Sequence, residues 1–232
     1  MPCSTANKQA YTMKISTINV TGPDAFAFLQ GQLSNDLARL ETDAEIFAAW
    51  CNPKGRVIWF GTVWKTDSGY GMSALAETAE SIVQKLTVFR FRSKLEFEVV
   101  DDGVTVDPVD LIRGGYPYIG VEQSEQYTPH MLNLDLLDAI SFDKGCYTGQ
   151  EIVARTHYKG ATKRRTHRFE SDKPVSTGDK VSLDGRDIGE VLNASGFDLL
   201  AVIPVKNADE QLSVEDSSLK PIALPYLDEN PS

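Results

Sequence analysis

The stretch Lys144-Gly145-Cys146-Tyr147-Thr148-Gly149-Gln150-Glu151 places a thiol, an ammonium, an amide and a carboxylate within eight residues and interleaves them with two glycines. A cysteine does chemistry as the thiolate, and two features of this stretch favour that form. Thr148 and Glu151 have the spacing of a capping box, which predicts a helix with Thr148 as its N-cap that runs on to Gly160. Cys146 would then face the positive end of that helix, with the cation of Lys144 two residues away. The bland alternative is a small apolar side chain in a turn that the glycines make. Cys3, in an N-terminal tail, and Cys51, at the end of a hydrophobic strand, take that second reading.

Three cysteines, at positions 3, 51 and 146, form no even set for a disulfide framework and no Cys-x-x-Cys clamp. His130, His157 and His167 show no ligand spacing, so no metal site is expected. The chain has 232 residues, is 41% hydrophobic and carries a net charge of −10, which suits a globular protein with a real core and argues against nucleic acid as a direct partner. The charge is uneven. From Arg155 to Arg168 there are six Lys or Arg, two His and no acid, a strip that either is solvated or contacts an anion. No basic segment followed by an apolar run opens the chain, and no apolar stretch approaches the roughly 20 residues that span a bilayer, so a cytoplasmic protein without a membrane segment is expected.

The elements that must position the motif read as follows. Tyr-Thr-Met-Lys-Ile-Ser-Thr-Ile-Asn-Val alternates as a first strand, and Pro23 opens a helical stretch that Gly31 should divide, with Ser34 or Asn35 capping the second piece. Two strands flank Asn52-Pro53-Lys54-Gly55, a type I turn sequence, and therefore form a hairpin. A helix from Ala76 to about Phe91 and a strand after it complete an α+β sheet covered on one side. The Gly-, Pro- and Tyr-rich segment 110–137 reads as the irregular wall of a cleft. Beyond Arg165 short alternating strands, with Asp184-Gly185 as a hairpin signal, predict a small closed barrel, which gives domains 1–167 and 168–232.

Taken whole, the segment from Asn133 to Arg164 closely resembles the signature region of the YgfZ family, folate-binding proteins related to the aminomethyltransferase of the glycine cleavage system. Three other segments agree in order and spacing: Gly22 to Leu37, Ala48 to Val57, and Ile112 to Ile119. The resemblance implies an aminomethyltransferase-like domain around a central channel, closed by the C-terminal β-barrel. It further implies tetrahydrofolate or a one-carbon derivative as ligand, and iron–sulfur enzymes or cluster-assembly proteins as partners, with a link through cluster-dependent methylthiolation to tRNA modification. Carried over by position, Cys146 and Lys144 would do the chemistry, and Tyr147, Gln150, Glu151 and Arg155 would form their loop and cleft. A monomer is expected.

The sequence departs from the transferases at two places. They carry an acidic pair where this chain has Trp59 and Phe60, and an aromatic ring cannot hold a proton for one-carbon transfer. The glutamate by which they recognise the pterin is matched here by Arg113. Bound folate would then be oriented by Gln32, Asp36 or Glu122, and its glutamate tail by Arg155 or Lys159. Three readings follow: an accessory factor for iron–sulfur enzymes, a folate-dependent one-carbon transferase, and a direct tRNA-binding modifier that rests on the basic strip alone and is opposed by the acidic remainder. The first is preferred because the transferase acids are missing, and with three scattered cysteines that cannot hold a four-thiolate cluster the chain is not itself a cluster scaffold.

Overall fold

The structure, a computed structural model, describes residues 12–160 and 162–228, so Cys3 lies outside the described residues. Strand β1 (Met13–Thr21) buries Ile18 and Val20 on one face, as its alternation demands. Helix α1 (Ala25–Gln32) follows, then a 3-10 turn (Leu37–Glu41). Strands β2 (Glu45–Cys51) and β3 (Val57–Thr66) form the expected hairpin, with Gly55 N–H donating to Asn52 O at 2.9 Å across the turn. Strand β4 (Gly69–Leu75), helix α2 (Ala76–Phe89) and strand β5 (Glu96–Val106) complete a five-stranded antiparallel sheet of order β2-β3-β4-β1-β5.

Gly31 does not divide α1. The helix runs through it and ends at Gln32, and Leu33 bridges to Trp50. The following turn is capped by Asp36, whose carboxylate accepts from Ala38 N–H, and not by Ser34 or Asn35. Those two side chains are committed to distant strands and loops: Ser34 donates to Ala139 O at 2.7 Å and accepts from Ala49 N–H, while Asn35 donates to Phe47 O and Asp138 O. Both are buried, so each has to find partners, and a local cap would leave those backbone groups unpaired.

Strand β4 sits between β3 and β1, in a stretch to which the sequence pattern assigns no element. The reason is close approach: a Cβ on Gly71 would lie 2.3 Å from the Trp64 ring, and one on Gly69 2.2 Å from Val20 O. The sheet is also covered on both faces rather than one. Ile46, Ala48 and Trp50 of β2 pack with α1 and α2, with Phe89 edge-on to the Trp50 ring at 5.9 Å. The intervening Phe47, Ala49 and Cys51 face a second cluster, shared with the wall segment and the barrel.

That wall opens with helix α3 (Pro108–Gly114), which has the Asp107 cap, the proline at its start and the left-handed Gly115 at its end that local rules favour. A 3-10 turn (Pro129–Leu132) and helix α4 (Gln150–Lys159) lead into the barrel. Its strands are β6 (Arg164–Ser171), β7 (Lys180–Leu183), β8 (Arg186–Ser195), β9 (Asp198–Pro204), β10 (Leu212–Val214) and β11 (Ser217–Ile222). They close in the order β10-β11-β6-β9-β8-β7, and the short helix α5 (Pro225–Asp228) follows. Asp184 and Gly185 both take positive φ, as a two-residue hairpin turn requires.

Phe169, Val191, Leu199 and Ile203 fill the barrel, while Leu192, Leu200 and Val202 point outward into the second cluster beside Ala49, Ile112 and Leu134. The barrel is thus docked on the wall through an apolar face. Buried Asn193 stitches the seam, accepting from Tyr118 N–H at 3.1 Å and donating to Tyr118 O at 2.9 Å as a strand neighbour would. Among the described residues no helix is long and apolar enough to cross a membrane.

Candidate functional site

The 144–151 stretch is threaded between the end of α1 and the β2–β3 turn. Lys144 is buried, and its ammonium donates to three carbonyls: Gln30 O at 2.7 Å, Leu33 O at 2.7 Å and Asn35 O at 2.9 Å. Burial pushes it down to about 8, opposed by the nearby Asp36 carboxylate. Lys144 therefore clamps the chain leaving α1, and its charge is directed into that carbonyl cage. The Tyr147 ring lies with its centroid 5.3 Å from the same ammonium, and burial raises its hydroxyl well above the usual range. Cys146, between them, is exposed and free; Cys51 is buried, which pushes its thiol up to about 12.

Thr148 is not the N-cap of α4. The cap is Gly149, in the left-handed conformation at φ 83°, with no side-chain hydrogen bond. Thr148 instead turns to α1, with its N–H donating to Gly31 O at 3.3 Å and its hydroxyl to Gln32 Oε1 at 3.2 Å. The cap must be glycine because a Cβ there would lie 2.6 Å from Asn52 O, and the partner turn is equally tight, with a Cβ on Gly55 2.8 Å from Ile152. Gly149→Ala should therefore lower the unfolding free energy by about 2 kcal/mol, the order of a strained left-handed residue with a backbone clash. Urea denaturation of the two chains measures this directly.

The other candidates fall at separate places. Gln32 joins the motif, accepting from Trp50 Nε1 at 3.3 Å as well as from Thr148. Asp36 is held below the ordinary carboxylate range by Ala38 N–H and Gln30, and acts as a cap. Glu151 and Arg155 pair with each other at 2.6 Å on the exposed face of α4, whose first residue is Gln150. Arg113 lies at the barrel seam, pairing with Asp198, which also takes Arg168; burial raises that carboxyl, but the two guanidiniums outweigh it and hold it low. Glu122 lines a cavity of about 670 Å3 with Lys14, Glu77 and Gln123.

That cavity shares Leu75 and Tyr118 with a second, of about 430 Å3, which the motif does not reach. Its walls are aromatic: Phe47, Trp59, Phe60, Tyr116 and Tyr118 line it, and the Phe47 ring lies 5.6 Å from Phe60 and 5.4 Å from Tyr116. Among the described residues no charged side chain lines it, and its polar side chains include Thr62 and Ser73. Phe47 and Tyr116 carry no spacing signature of their own. Phe47 belongs to the outward face of a strand whose other face fills the core, and only the Tyr-Pro-Tyr run hinted at a flat wall.

The basic strip is largely consumed inside the molecule. Arg165 chelates Asp135 at 2.9 and 2.7 Å, Arg164 donates to Ile188 O, and Arg168 holds Asp198. His130 is buried with both ring nitrogens unpartnered among the described residues, in a third cavity that it shares with His157 and Arg165. Among the described residues no group of three or more His, Cys, Asp or Glu could hold a metal ion.

No model of a known protein family matches the chain. Curated relatives do. The tRNA-modifying protein YgfZ of Serratia proteamaculans is 27% identical over 90% of this chain and 89% of its own length, and that of Aliivibrio fischeri 23% identical over the same shares. An uncharacterized protein of Haemophilus influenzae is 27% identical, covering 90% of this chain and 94% of its own. Among solved structures, the glycine cleavage system aminomethyltransferase T of Bartonella henselae matches with a TM-score of 0.64 at 14% identity, over 91% of this chain and 84% of that one. The likeness signalled by the 144–151 motif thus extends over nine tenths of the chain: it is similar to the tRNA-modifying proteins named YgfZ and carries the fold of a glycine cleavage aminomethyltransferase.

Proposed function

We propose that the chain is a tetrahydrofolate-binding accessory protein that supports the assembly or repair of iron–sulfur clusters in client enzymes, tRNA-methylthiolating enzymes among them, through the thiol of Cys146. The observation that carries this reading is the aromatic cavity beside β3. A pterin is flat and amide-like, and the aromatic walls would stack it, with Phe47, Phe60 and Tyr116 as plates and Thr62 and Ser73 at its polar edge. Tail carboxylates would pass toward Lys14 in the adjoining cavity, since Arg155 is paired with Glu151 and lines neither space. Folate would supply a one-carbon carrier. With Trp59 and Phe60 on the strand, the cavity offers no carboxylate to take a proton, which favours an accessory factor over an aminomethyl transferase.

Two measurements test the proposal. Titration calorimetry with tetrahydrofolate and its one-carbon derivatives should show binding that Phe60→Ala weakens by about tenfold, the order of one lost stacking contact. Turnover of methylene-tetrahydrofolate by the pure protein would overturn the accessory reading. Cys146→Ser should leave the unfolding midpoint unchanged, because the side chain is exposed, yet abolish support of iron–sulfur enzymes in a cell lacking the wild-type chain. Undiminished support would reduce the motif to a structural clamp.

A further inference from the structure

The end of α2 carries a feature that neither the folate reading nor the motif uses. From Gln84 to Leu95 the chain holds Lys85, Arg90, Arg92 and Lys94 and no acid, in a protein of net charge −10. Lys85 pairs with Glu125, whereas Arg90, Arg92 and Lys94 make no ion pair among the described residues. Between the two arginines stands Phe91, 89% exposed, and one helical turn back is Val88, 71% exposed.

Phe91 is the wrong residue for its place on two counts. It follows the C-cap Arg90 with φ 44°, the left-handed position at which glycine is favoured and a bulky side chain is strained. Its ring is left in water and makes no aromatic contact among the described residues. The backbone and the hydration of the ring both oppose phenylalanine there, and neither cost is offset within the molecule. The turn is nonetheless well held: Ser93 N–H donates to Arg90 O at 2.8 Å, Lys94 N–H to Asp24 Oδ2 at 2.7 Å, and Asp24 N–H back to Lys94 O at 3.3 Å. The ring is therefore presented on a fixed loop, with Phe89 beside it anchored on Trp50.

We propose that the 88–94 loop is a docking site for single-stranded nucleic acid, with a base stacked on Phe91 and the phosphates on either side met by Arg90, Arg92 and Lys94. Aromatic rings and guanidinium planes both stack on bases, and a guanidinium also forks onto phosphate, so the Arg-Phe-Arg order matches a base between two phosphates. An anionic membrane would be gripped poorly by one ring and one valine, since interfacial binding scales with the apolar area that is buried. The overall negative charge does not forbid the contact, because screening confines each charge to a Debye length of about 10 Å, and the one carboxylate that touches the loop among the described residues, Asp24 on Lys94 N–H, leaves the three unpaired cations in excess there.

The test is fluorescence anisotropy with the full chain and a labelled, unstructured oligouridylate RNA, across a range of salt. Three cations on a single strand predict a slope of log K against log salt of about −2, and Arg92→Gln should reduce its magnitude by about 0.7. Phe91→Gly should weaken binding about tenfold or more, by loss of one stacked base, while the melting temperature does not fall, because glycine suits the left-handed turn. A structural role for Phe91 would move both readings together. Absence of binding at 20 mM salt on the order of a tenth of physiological strength, or binding indifferent to Phe91→Gly, overturns the proposal. So does binding to phosphatidylglycerol vesicles or to polyglutamate that equals RNA binding and is lost in the same variants, which would make the partner a membrane or an acidic protein.

Discussion

Arg165→Met is expected to lower the unfolding free energy by about 3 kcal/mol, the range measured when one partner of a buried ion pair is removed. Asp135 is 9% exposed and its carboxylate is held by both Arg165 terminal nitrogens, at 2.9 and 2.7 Å. The same guanidinium donates to His130 O at 3.2 Å and Asn133 Oδ1 at 3.1 Å, so methionine would leave three acceptors of the wall segment without their cation. Asn133 in turn donates to Thr166 O on β6, which makes this pair the bolt between wall and barrel. The partner change Asp135→Leu, added to Arg165→Met, should recover much of the loss, since an apolar pair asks for no counter-ion. A double-mutant cycle in urea measures the coupling, and a loss below about 1 kcal/mol for the single change would class the pair with ordinary surface ion pairs.

Lys144→Met should cost a similar amount, about 3 kcal/mol, by removing charge-assisted hydrogen bonds to three carbonyls while sparing the desolvation of the ammonium. The net loss falls on the chain between α1 and β2, where Gln30, Leu33 and Asn35 supply the acceptors. A second signature separates this lysine from any other. Its folded-state value is lowered by burial to about 8 from an ordinary 10.5, so between those limits the unfolded chain binds more protons than the folded one. The stability of the wild type relative to Lys144→Met should therefore rise as pH goes from 8 toward 10. Burial also raises the Cys51 thiol from 9.0 to about 12 and the hydroxyls of Tyr127, Tyr147 and Tyr226, and stability from these groups is lost as pH rises through the same range, so the lysine is read from the difference between the two chains. A difference between the two chains that stays flat from pH 8 to 10 would show that the carbonyl cage offsets burial in full.

Much of the architecture could be read from pattern, because alternation and capping are local. The hairpin at Asn52–Gly55, α2 and the barrel strands all follow from periods of two or 3.6 and from turn residues. Strand β4 was hidden, since Gly69 and Gly71 are there to let Val20 and Trp64 approach, and a close approach has no local signature. The capping box failed for a related reason. Thr148 has a better partner 116 residues away in Gln32, and a tertiary hydrogen bond displaced the local one. The motif was therefore found by its spelling and misread in its geometry: Lys144 serves the backbone of α1, and Gly149 serves the turn at Asn52. Sequence shows charges without their partners: the strip from Arg155 to Arg168 spends Arg165 and Arg168 on Asp135 and Asp198, whereas Arg90, Arg92 and Lys94 keep no ion pair among the described residues.

The three hydrophobic clusters differ in how much of the chain each needs, and that sets an order of events on the ribosome. The first is complete within residues 18–99, so it can condense while the second half is still being synthesised. The barrel interior draws only on residues 169–219 and forms as a late, separate unit. The cluster between them joins Ala49 and Cys51 to Leu192, Leu200, Val202 and Leu224, and it cannot close until Leu224 has left the exit tunnel. Until then the nascent chain carries an open apolar sheet face, with Phe47 and Phe60 on it, for as long as translation of some 120 residues takes, on the order of ten seconds at bacterial rates. That interval is when the half-made chain is most open to aggregation through this face.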